Sequence, residues 1–262
     1  MAEIVSPIIK EFDLKEYLAN LKDNTIKLEQ SPSYNLLLMG ELGAGKSSIL
    51  ITCPMPVIIH AFDPGSVNLR AYRKYIDSGD LMVVDYSDKN GYKRWEKDFE
   101  SMLANNVLDN IGTYCIDSFT TWFRAMKAEI VRRKGRSEGI PYQQDYMILG
   151  MNILNTITLA ASTKSMFVLT AHMDLDKEEV SGRMIARLKS IPSLKVDLPT
   201  LFDEVYVLQV ESNLKGESIR KLITQPTSKY VARTRIGGNG VFDVLEEPDI
   251  MKLLVKAGLV EE

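Results

Sequence analysis

Short apolar runs alternate along the chain with longer segments in which apolar residues recur every three or four positions. The short runs predict strands that are buried on both faces, as in a parallel sheet. They lie at Leu36–Met39, Val57–His60, Leu81–Val84, 111–116, Ser165–Thr170 and 204–210. Helical periodicity between them predicts helices at about 67–78, 93–106, 119–134, 142–162 and 248–258. Strands alternating with helices predict an α/β fold with a mostly parallel sheet flanked by helices.

The two ends of the chain have a different pattern. Residues 1–33 are polar and charged with a short amphipathic stretch, and we interpret them as an N-terminal extension before an α/β domain spanning 34–262. Near the other end, Ile219–Ile223 and Tyr230–Thr234 alternate between apolar and polar residues. This alternation predicts a pair of antiparallel C-terminal strands.

Composition narrows the class of protein. The 262 residues carry a net charge of −3, so a nucleic-acid contact would have to be a local patch. Cys53 and Cys115 both lie in apolar surroundings, which favours buried thiols and a reducing compartment. No apolar run reaches the length of a membrane span, and the N-terminus lacks the pattern of a secretory signal. We therefore expect a cytoplasmic protein without a membrane partner.

A glycine-rich loop follows the first predicted strand. The stretch Gly40-Glu41-Leu42-Gly43-Ala44-Gly45-Lys46-Ser47 matches G-x-x-x-x-G-K-[ST], and Ser48 continues into a predicted helix. Glycines in such a P-loop let successive backbone N–H groups point at a phosphate. Lys46 can reach the β- and γ-phosphates, and the hydroxyl of Ser47 can ligate Mg²⁺. The motif therefore predicts an ATP site with Mg²⁺ as its cofactor.

Aspartates follow two other predicted strands. Asp117 ends the run 111–117 in the manner of a Walker B carboxylate, and we expect it to hold Mg²⁺ opposite Ser47. The next residue, Ser118, has no carboxylate that could activate water, so the activating group must come from elsewhere. Asp63, after the second strand, is the candidate, because ligands bind at the carboxyl ends of parallel strands. Alternatively, Asp63-Pro64-Gly65 is only a turn.

Three further features bear on function. His172 follows the predicted strand Ser165–Thr170, where it can sense the γ-phosphate or simply lie in a loop. Residues 173–200 predict a long basic loop able to contact a polyanion, although its acidic residues bring its net charge close to neutral. The cations at 132–136 are either a solvated helix end or a phosphate-binding patch.

The order of these elements resembles the RecA-like ATPase core, most closely the small phage-type nucleotide-binding ATPases that include recombinase-core single-strand annealing proteins. The resemblance covers roughly residues 34–236, and it implies the cytoplasm of a bacterium or of a phage-infected host. It implies that Gly40 through Ser48 bind ATP, that Asp63 activates water and that His172 is the sensor. It also implies that Arg233 and Arg235 reach the ATP of an adjacent subunit, and that 173–200 contacts single-stranded DNA.

We therefore expect a Mg²⁺-dependent ATPase of DNA recombination, repair or replication that forms homo-oligomers on single-stranded DNA. One alternative is a P-loop phosphotransferase with a lid at 132–136. Another is an ATP-binding switch for a protein partner, because Asp63 stands where relatives often have the longer glutamate.

Overall fold

The computed structural model describes residues 34–66, 69–136, 141–178, 182–212 and 217–261. The predicted extension at 1–33 lies outside the described residues. Strands are numbered in chain order as follows: β1 (Leu36–Gly40), β2 (Val57–Ala61), β3 (Leu81–Asp85), β4 (Thr113–Asp117), β5 (Met166–Ala171), β6 (Met173–Lys177), β7 (Met184–Leu188), β8 (Glu204–Ser212), β9 (Ser218–Ile223) and β10 (Leu245–Glu246).

The helices follow the predicted periodicity closely. They are α1 (Lys46–Ile49), α2 (Arg73–Ser78), α3 (Gly91–Ala104), α4 (Phe119–Arg133), α5 (Gln143–Ala161), α6 (Pro192–Thr200) and α7 (Ile250–Lys256). Short 3₁₀ turns extend α1 at Leu50–Thr52 and precede α2 at Arg70–Tyr72. No helix in the described ranges combines the length and the apolar character that crossing a membrane requires.

Eight strands form the central sheet in the order β10-β9-β8-β1-β5-β4-β2-β3. Every pairing from β8 to β3 is parallel, and β9 is antiparallel to both β8 and β10. The predicted α/β class with antiparallel C-terminal strands is confirmed. Strand β5 lies between β1 and β4, so the carboxyl ends of these three strands are adjacent at one edge of the sheet.

Helices cover both faces of this sheet, which explains the continuous apolar runs. In β1, Leu37 and Met39 join a core cluster on one face, while Leu36 and Leu38 join another on the opposite face. The first cluster includes Trp95 of α3 and Trp122 of α4, both fully buried as core residues. Cys53 and Cys115 are buried free thiols, as expected.

The predicted pairing of Ile219–Ile223 with Tyr230–Thr234 is wrong. Both edges of β9 are occupied by β8 and β10, so 230–234 has no edge available there. Arg233 instead exchanges two backbone hydrogen bonds with Val205, each 2.8 Å long. The buried carboxylate of Glu204 then accepts the backbone N–H of Arg235 at 2.8 Å, which holds this segment beside β8.

The prediction of a long loop at 173–200 is also wrong. Strands β6 and β7 pair as an antiparallel hairpin, and α6 follows them. Two features misled the prediction. Pro192 begins α6 at a position where a missing N–H costs nothing, and Pro199 lies in its last turn, so neither breaks the helix.

A buried histidine makes the free energy of unfolding depend on pH. The imidazole of His60 in β2 is 2% exposed, and its Nδ1 lies 2.9 Å from the hydroxyl of Tyr114. Burial lowers the pKa of His60 to about 4, from an ordinary value of 6.5. The unfolded chain therefore binds a proton as the pH falls below 6.5, whereas the folded chain stays neutral until about pH 4.

We expect this difference to cost about 2 kcal/mol of the free energy of unfolding between pH 7 and pH 5. In His60→Gln the loss over the same interval should be smaller by that amount, as measured by urea unfolding at both pH values. Val57→Ala is the matched control, because it removes a buried side chain of the same strand without removing a titratable group, and it should keep the wild-type pH dependence. An equal pH dependence in wild type and His60→Gln would contradict the prediction.

Candidate functional site

The glycine loop between β1 and α1 has a backbone that other residues would not allow. Gly43 and Gly45 have φ angles of 76° and 100°, in the left-handed region. A Cβ on Gly40 would lie 2.9 Å from the carbonyl oxygen of Leu208, so a side chain there would require β8 to move. The glycines therefore permit both the tight turn and the close approach of the loop to the sheet.

Lys46 fills the loop from inside. Its side chain is buried, and Nζ donates to the carbonyl oxygens of Gly40 at 3.0 Å and Glu41 at 2.9 Å. Burial lowers the pKa of Lys46, and the carboxylates of Asp117 and Asp63 oppose that effect. These contacts hold a cationic group inside the glycine loop, where a P-loop binds phosphate.

The carboxylate of Asp117 connects three elements at the end of β4. Its Oδ2 accepts the hydroxyls of Ser47 at 2.7 Å and Ser66 at 2.6 Å. Its Oδ1 accepts the hydroxyl of Thr170, at the end of β5. The predicted pair of Ser47 and Asp117 is thus brought into direct contact, on the same side of the sheet.

This oxygen donor set fits Mg²⁺. A hydroxyl and a carboxylate are hard ligands, and Mg²⁺ binds through few protein groups with phosphates and water completing its shell. Accordingly, no cluster of three or more His, Cys, Asp or Glu side chains suited to a metal occurs in the described ranges. Ser47 and Asp117 are the residues that would hold the ion beside a nucleotide.

Asp63 and His172 both line the cleft around Lys46. Asp63 follows β2, and its N–H donates to the carbonyl of Asp117 at 3.3 Å. The Nδ1 atom of His172 lies 3.4 Å from Nζ of Lys46. Burial and the neighbouring Lys46 lower the pKa of His172, so its ring is neutral near pH 7 and Nδ1 can accept from the ammonium group.

Together these residues surround a cleft of about 470 Å³. Two cavities of about 690 and 820 Å³ lie elsewhere, and Lys46, Ser47 and Asp117 line neither of them. We assign the nucleotide to the smaller cleft because the loop amides, the buried ammonium group and the Ser47–Asp117 pair converge there.

Arg233 and Arg235 do not reach this cleft. The guanidinium group of Arg233 donates to the carbonyls of Pro199 and Phe202, and it lines the cavity of about 690 Å³. Arg235 forms an ion pair of 2.5 Å with Asp203 and is largely exposed. Neither arginine lines the cleft around Lys46.

Sequence reasoning missed the arginine that does line the cleft. Nε of Arg220, in β9, donates to the carbonyl of Ala44 in the glycine loop at 3.0 Å. It also missed Tyr72, whose buried hydroxyl donates to the carbonyl of Ser47 at 2.7 Å. No local motif marks either residue, because only the pairing of β9 with β8 brings Arg220 to the loop.

Arg220 should contribute to nucleotide affinity, because its cationic group faces the cleft that receives the phosphates. We expect Arg220→Gln to raise the Kd for ATP about tenfold or more, the usual effect of one charged hydrogen bond. Isothermal titration calorimetry with Mg·ATP measures it. The control is Lys221→Gln, the next residue of β9, which is exposed and does not line the cleft. Equal affinities for the two variants would contradict this role.

One comparison with known proteins, the match to a family model, agrees with this geometry. The family model described as an AAA domain matches residues 33–236. No curated protein matches the sequence. Among solved structures, a prototypical ATPase from the type III secretion system of pathogenic bacteria is similar at 13% identity and a TM-score of 0.43, covering 68% of this chain and 52% of that one. The chain thus spans about half the length of that ATPase. By its match over most of its length, the chain belongs to the AAA domain family and carries an AAA-type P-loop ATPase domain.

Proposed function

We propose that this chain binds Mg·ATP in the cleft around Lys46 and hydrolyses it, as an oligomeric ATPase that acts on single-stranded DNA in recombination, repair or replication. The observation that carries the ATPase assignment is the contact of 2.7 Å between the hydroxyl of Ser47 and the carboxylate of Asp117. A glycine-rich turn alone would not place a Mg²⁺ ligand pair beside a buried lysine.

Each residue of the cleft has a role in this reaction. The amides of the glycine loop bind the β-phosphate, and Lys46 neutralises charge on the β- and γ-phosphates. When bound, Mg²⁺ would supply further positive charge to the same oxygens. Asp63 orients the attacking water and accepts its proton. His172, in contact with Lys46, registers whether the γ-phosphate is present.

The positions of Arg233 and Arg235 support the recombinase-type assembly. Since Arg233 and Arg235 lie away from their own cleft, any contact with ATP must be made to that of another subunit. Arg235 is the better candidate, because Arg233 is held by two carbonyls of its own chain. An arginine supplied by a neighbour would stabilise the charge that develops during phosphoryl transfer.

Support for DNA binding at 173–200 is weaker. The hairpin is linked to the sensor, since the N–H of Lys189 donates to the carbonyl of His172 at 2.9 Å. However, Lys189 pairs with Asp174 at 3.4 Å and Lys195 with Asp176 at 2.7 Å, which reduces the charge that a phosphate backbone would meet. The assignment of DNA to this hairpin rests on the resemblance.

The phosphotransferase alternative gains no support from the structure. Its predicted lid requires free cations at 132–136, but Arg133 pairs with Glu96 at 2.5 Å, and both Lys134 and Arg136 pair with Asp145. These contacts anchor the helix end to its surroundings. A non-hydrolysing switch would retain the binding residues and differ only in turnover, so the assays below separate it from an ATPase.

Substitutions at the two aspartates test the ATPase assignment. We expect Asp117→Asn to abolish the Mg²⁺-dependent release of phosphate from ATP. Asp63→Asn should lower kcat by about 100-fold or more, the usual effect of removing a general base, while the Kd for ATP changes little. Asp77→Asn, an exposed position on α2, is the control.

The outcome can favour an alternative. Tight ATP binding without turnover in wild type would indicate the switch, and a phosphorylated acceptor would indicate a transferase. Wild-type kcat in Asp63→Asn would remove Asp63 from the reaction.

Assembly predicts that activity depends on protein concentration. We expect the rate per monomer to rise with concentration and with added single-stranded DNA. Arg235→Gln should remove most of that rise, by about tenfold or more, because an arginine supplied in trans contributes at least that much. Lys256→Gln removes the same charge from a surface ion pair and should have no effect. An identical rate per monomer at every concentration would contradict assembly in trans.

A further inference from the structure

A second groove adjoins the nucleotide cleft. It has a volume of about 820 Å³ and lies between α4 and the loop that follows β3. Phe62 and Pro64 form part of its wall, and Pro64 also lines the nucleotide cleft. The turn that carries Asp63 therefore separates the two spaces.

The groove has a positive charge that its own acidic residues do not cancel. Lys89, Arg124 and Lys127 line it, and none of them has a carboxylate within ion-pair distance in the part of the chain that the structure describes. Among the described residues of the lining, Asp88 is the single acidic one, and it is already paired with Arg94 at 2.6 Å. Three cations in one concave surface attract a polyanion.

Within the described residues, the unpaired cations of the groove differ from the cations of the segment 173–200. There, Lys189 and Lys195 are paired with aspartates of the same segment. Arg124 and Lys127 stand one helical turn apart on α4, at a spacing that puts both on the groove side. By charge alone, the groove is the better site for a phosphate backbone.

An aromatic side chain lies at one end of the groove. Arg136 lines the groove and stacks on the ring of Tyr142, with its guanidinium carbon 4.3 Å from the ring centroid. Tyr142 is 64% exposed, so one face of this pair is open to a further planar group. An unpaired base stacks on such a platform, whereas a base within a duplex does not.

We propose that this groove binds single-stranded nucleic acid, with Lys89, Arg124 and Lys127 contacting phosphates and Tyr142 stacking on a base. Deoxyribose and ribose strands share the phosphodiester chemistry that the groove recognises. Binding also bears on hydrolysis, and this part rests on the proposed function. Phe62 forms one wall of the groove, and its N–H donates to the carbonyl of Asp117 at 2.6 Å, so a bound strand acts on the turn that positions Asp63.

Binding is tested first on the nucleotide-free protein, by fluorescence anisotropy with labelled dT30 and rU30 at several salt concentrations. We expect Arg124→Gln/Lys127→Gln to weaken binding about tenfold or more. The slope of log K against log salt should fall by about 1.4, since each phosphate contact on a single strand contributes about 0.7. Tyr142→Ala should weaken binding with little change in that slope.

Three further variants show whether a loss of oligonucleotide binding is specific to the groove. Lys252→Gln/Lys256→Gln removes the same charge from α7 and should bind as wild type. Arg124→Lys/Lys127→Arg keeps the charge and should restore binding, which separates lost contacts from misfolding. Lys177→Gln/Lys189→Gln removes two cations of the segment 173–200 and should weaken oligonucleotide binding less than Arg124→Gln/Lys127→Gln does.

The proposal fails if wild type binds neither oligonucleotide, or if Arg124→Gln/Lys127→Gln binds both as well as wild type. It also fails if only the hairpin variant loses binding, or if the groove variant loses self-association while keeping oligonucleotide affinity. That last result would assign the groove to a second copy of the chain.

A second assay tests the link to hydrolysis. Arg124→Gln/Lys127→Gln should keep the basal ATPase rate and lose the stimulation by whichever oligonucleotide binds. Because anisotropy requires no turnover, an inactive wild type that still binds through the groove would overturn the ATPase proposal and leave the groove assignment intact.

Discussion

The site depends on one buried carboxylate. Asp117 is 1% exposed, and a charge so far from water is stable only when polar groups surround it. Ser47, Ser66 and Thr170 donate hydroxyls to it from the glycine loop, the turn after β2 and the end of β5. Satisfying this charge therefore fixes the relative positions of three segments that are far apart in the sequence.

The same constraint explains why the strand order matters. With β5 between β1 and β4, Thr170 reaches Asp117 from one neighbouring strand and the backbone of 62–63 reaches it from β2 on the other side. Lys46 lies within the field of Asp117, which opposes the loss of its proton on burial. The sheet thus places a buried cation, Lys46, beside a buried anion, Asp117. Lys46 would bind the triphosphate directly, and Asp117 would bind it through Mg²⁺.

Local patterns predicted the parts of this site that depend on local chemistry. The glycine spacing before Lys46 and the aspartate at the end of β4 are each determined within a few residues, so the sequence shows them directly. Arg220, Ser66 and Tyr72 could not be found this way, because each acts through a contact with a remote segment. The hairpin at 173–200 was mistaken for a loop because prolines and mixed charges outweighed its short alternating runs. The pairing of 230–234 was misassigned because alternation shows that a strand has two faces but does not say which edge it joins.

Arg233 and Arg235 have different surroundings, although the resemblance gives both the same role. Arg233 donates to the carbonyls of Pro199 and Phe202, and Arg235 pairs with Asp203. The arginine that lines the nucleotide cleft comes from β9, where Arg220 donates to the carbonyl of Ala44. An AAA-type domain that already has Lys46 and Arg220 in its cleft does not need a further cation to bind ATP. A contribution from Arg235 of a neighbour would therefore appear in turnover rather than in affinity.

The position of Asp63 links the nucleotide to whatever occupies the adjoining groove. Its carboxylate faces the cleft, while Phe62 and Pro64 on either side of it form the wall of the groove. The N–H groups of Phe62 and Asp63 donate to the backbone carbonyl of Asp117, and the hydroxyl of Ser66 donates to its carboxylate, so this turn cannot move without altering the contacts of Asp117. A group bound in the groove can therefore change the geometry of water activation without touching ATP. Reciprocity applies to binding alone: a strand that changed the affinity for ATP would require ATP to change the affinity of the groove by the same factor, whereas an effect on water activation carries no such requirement.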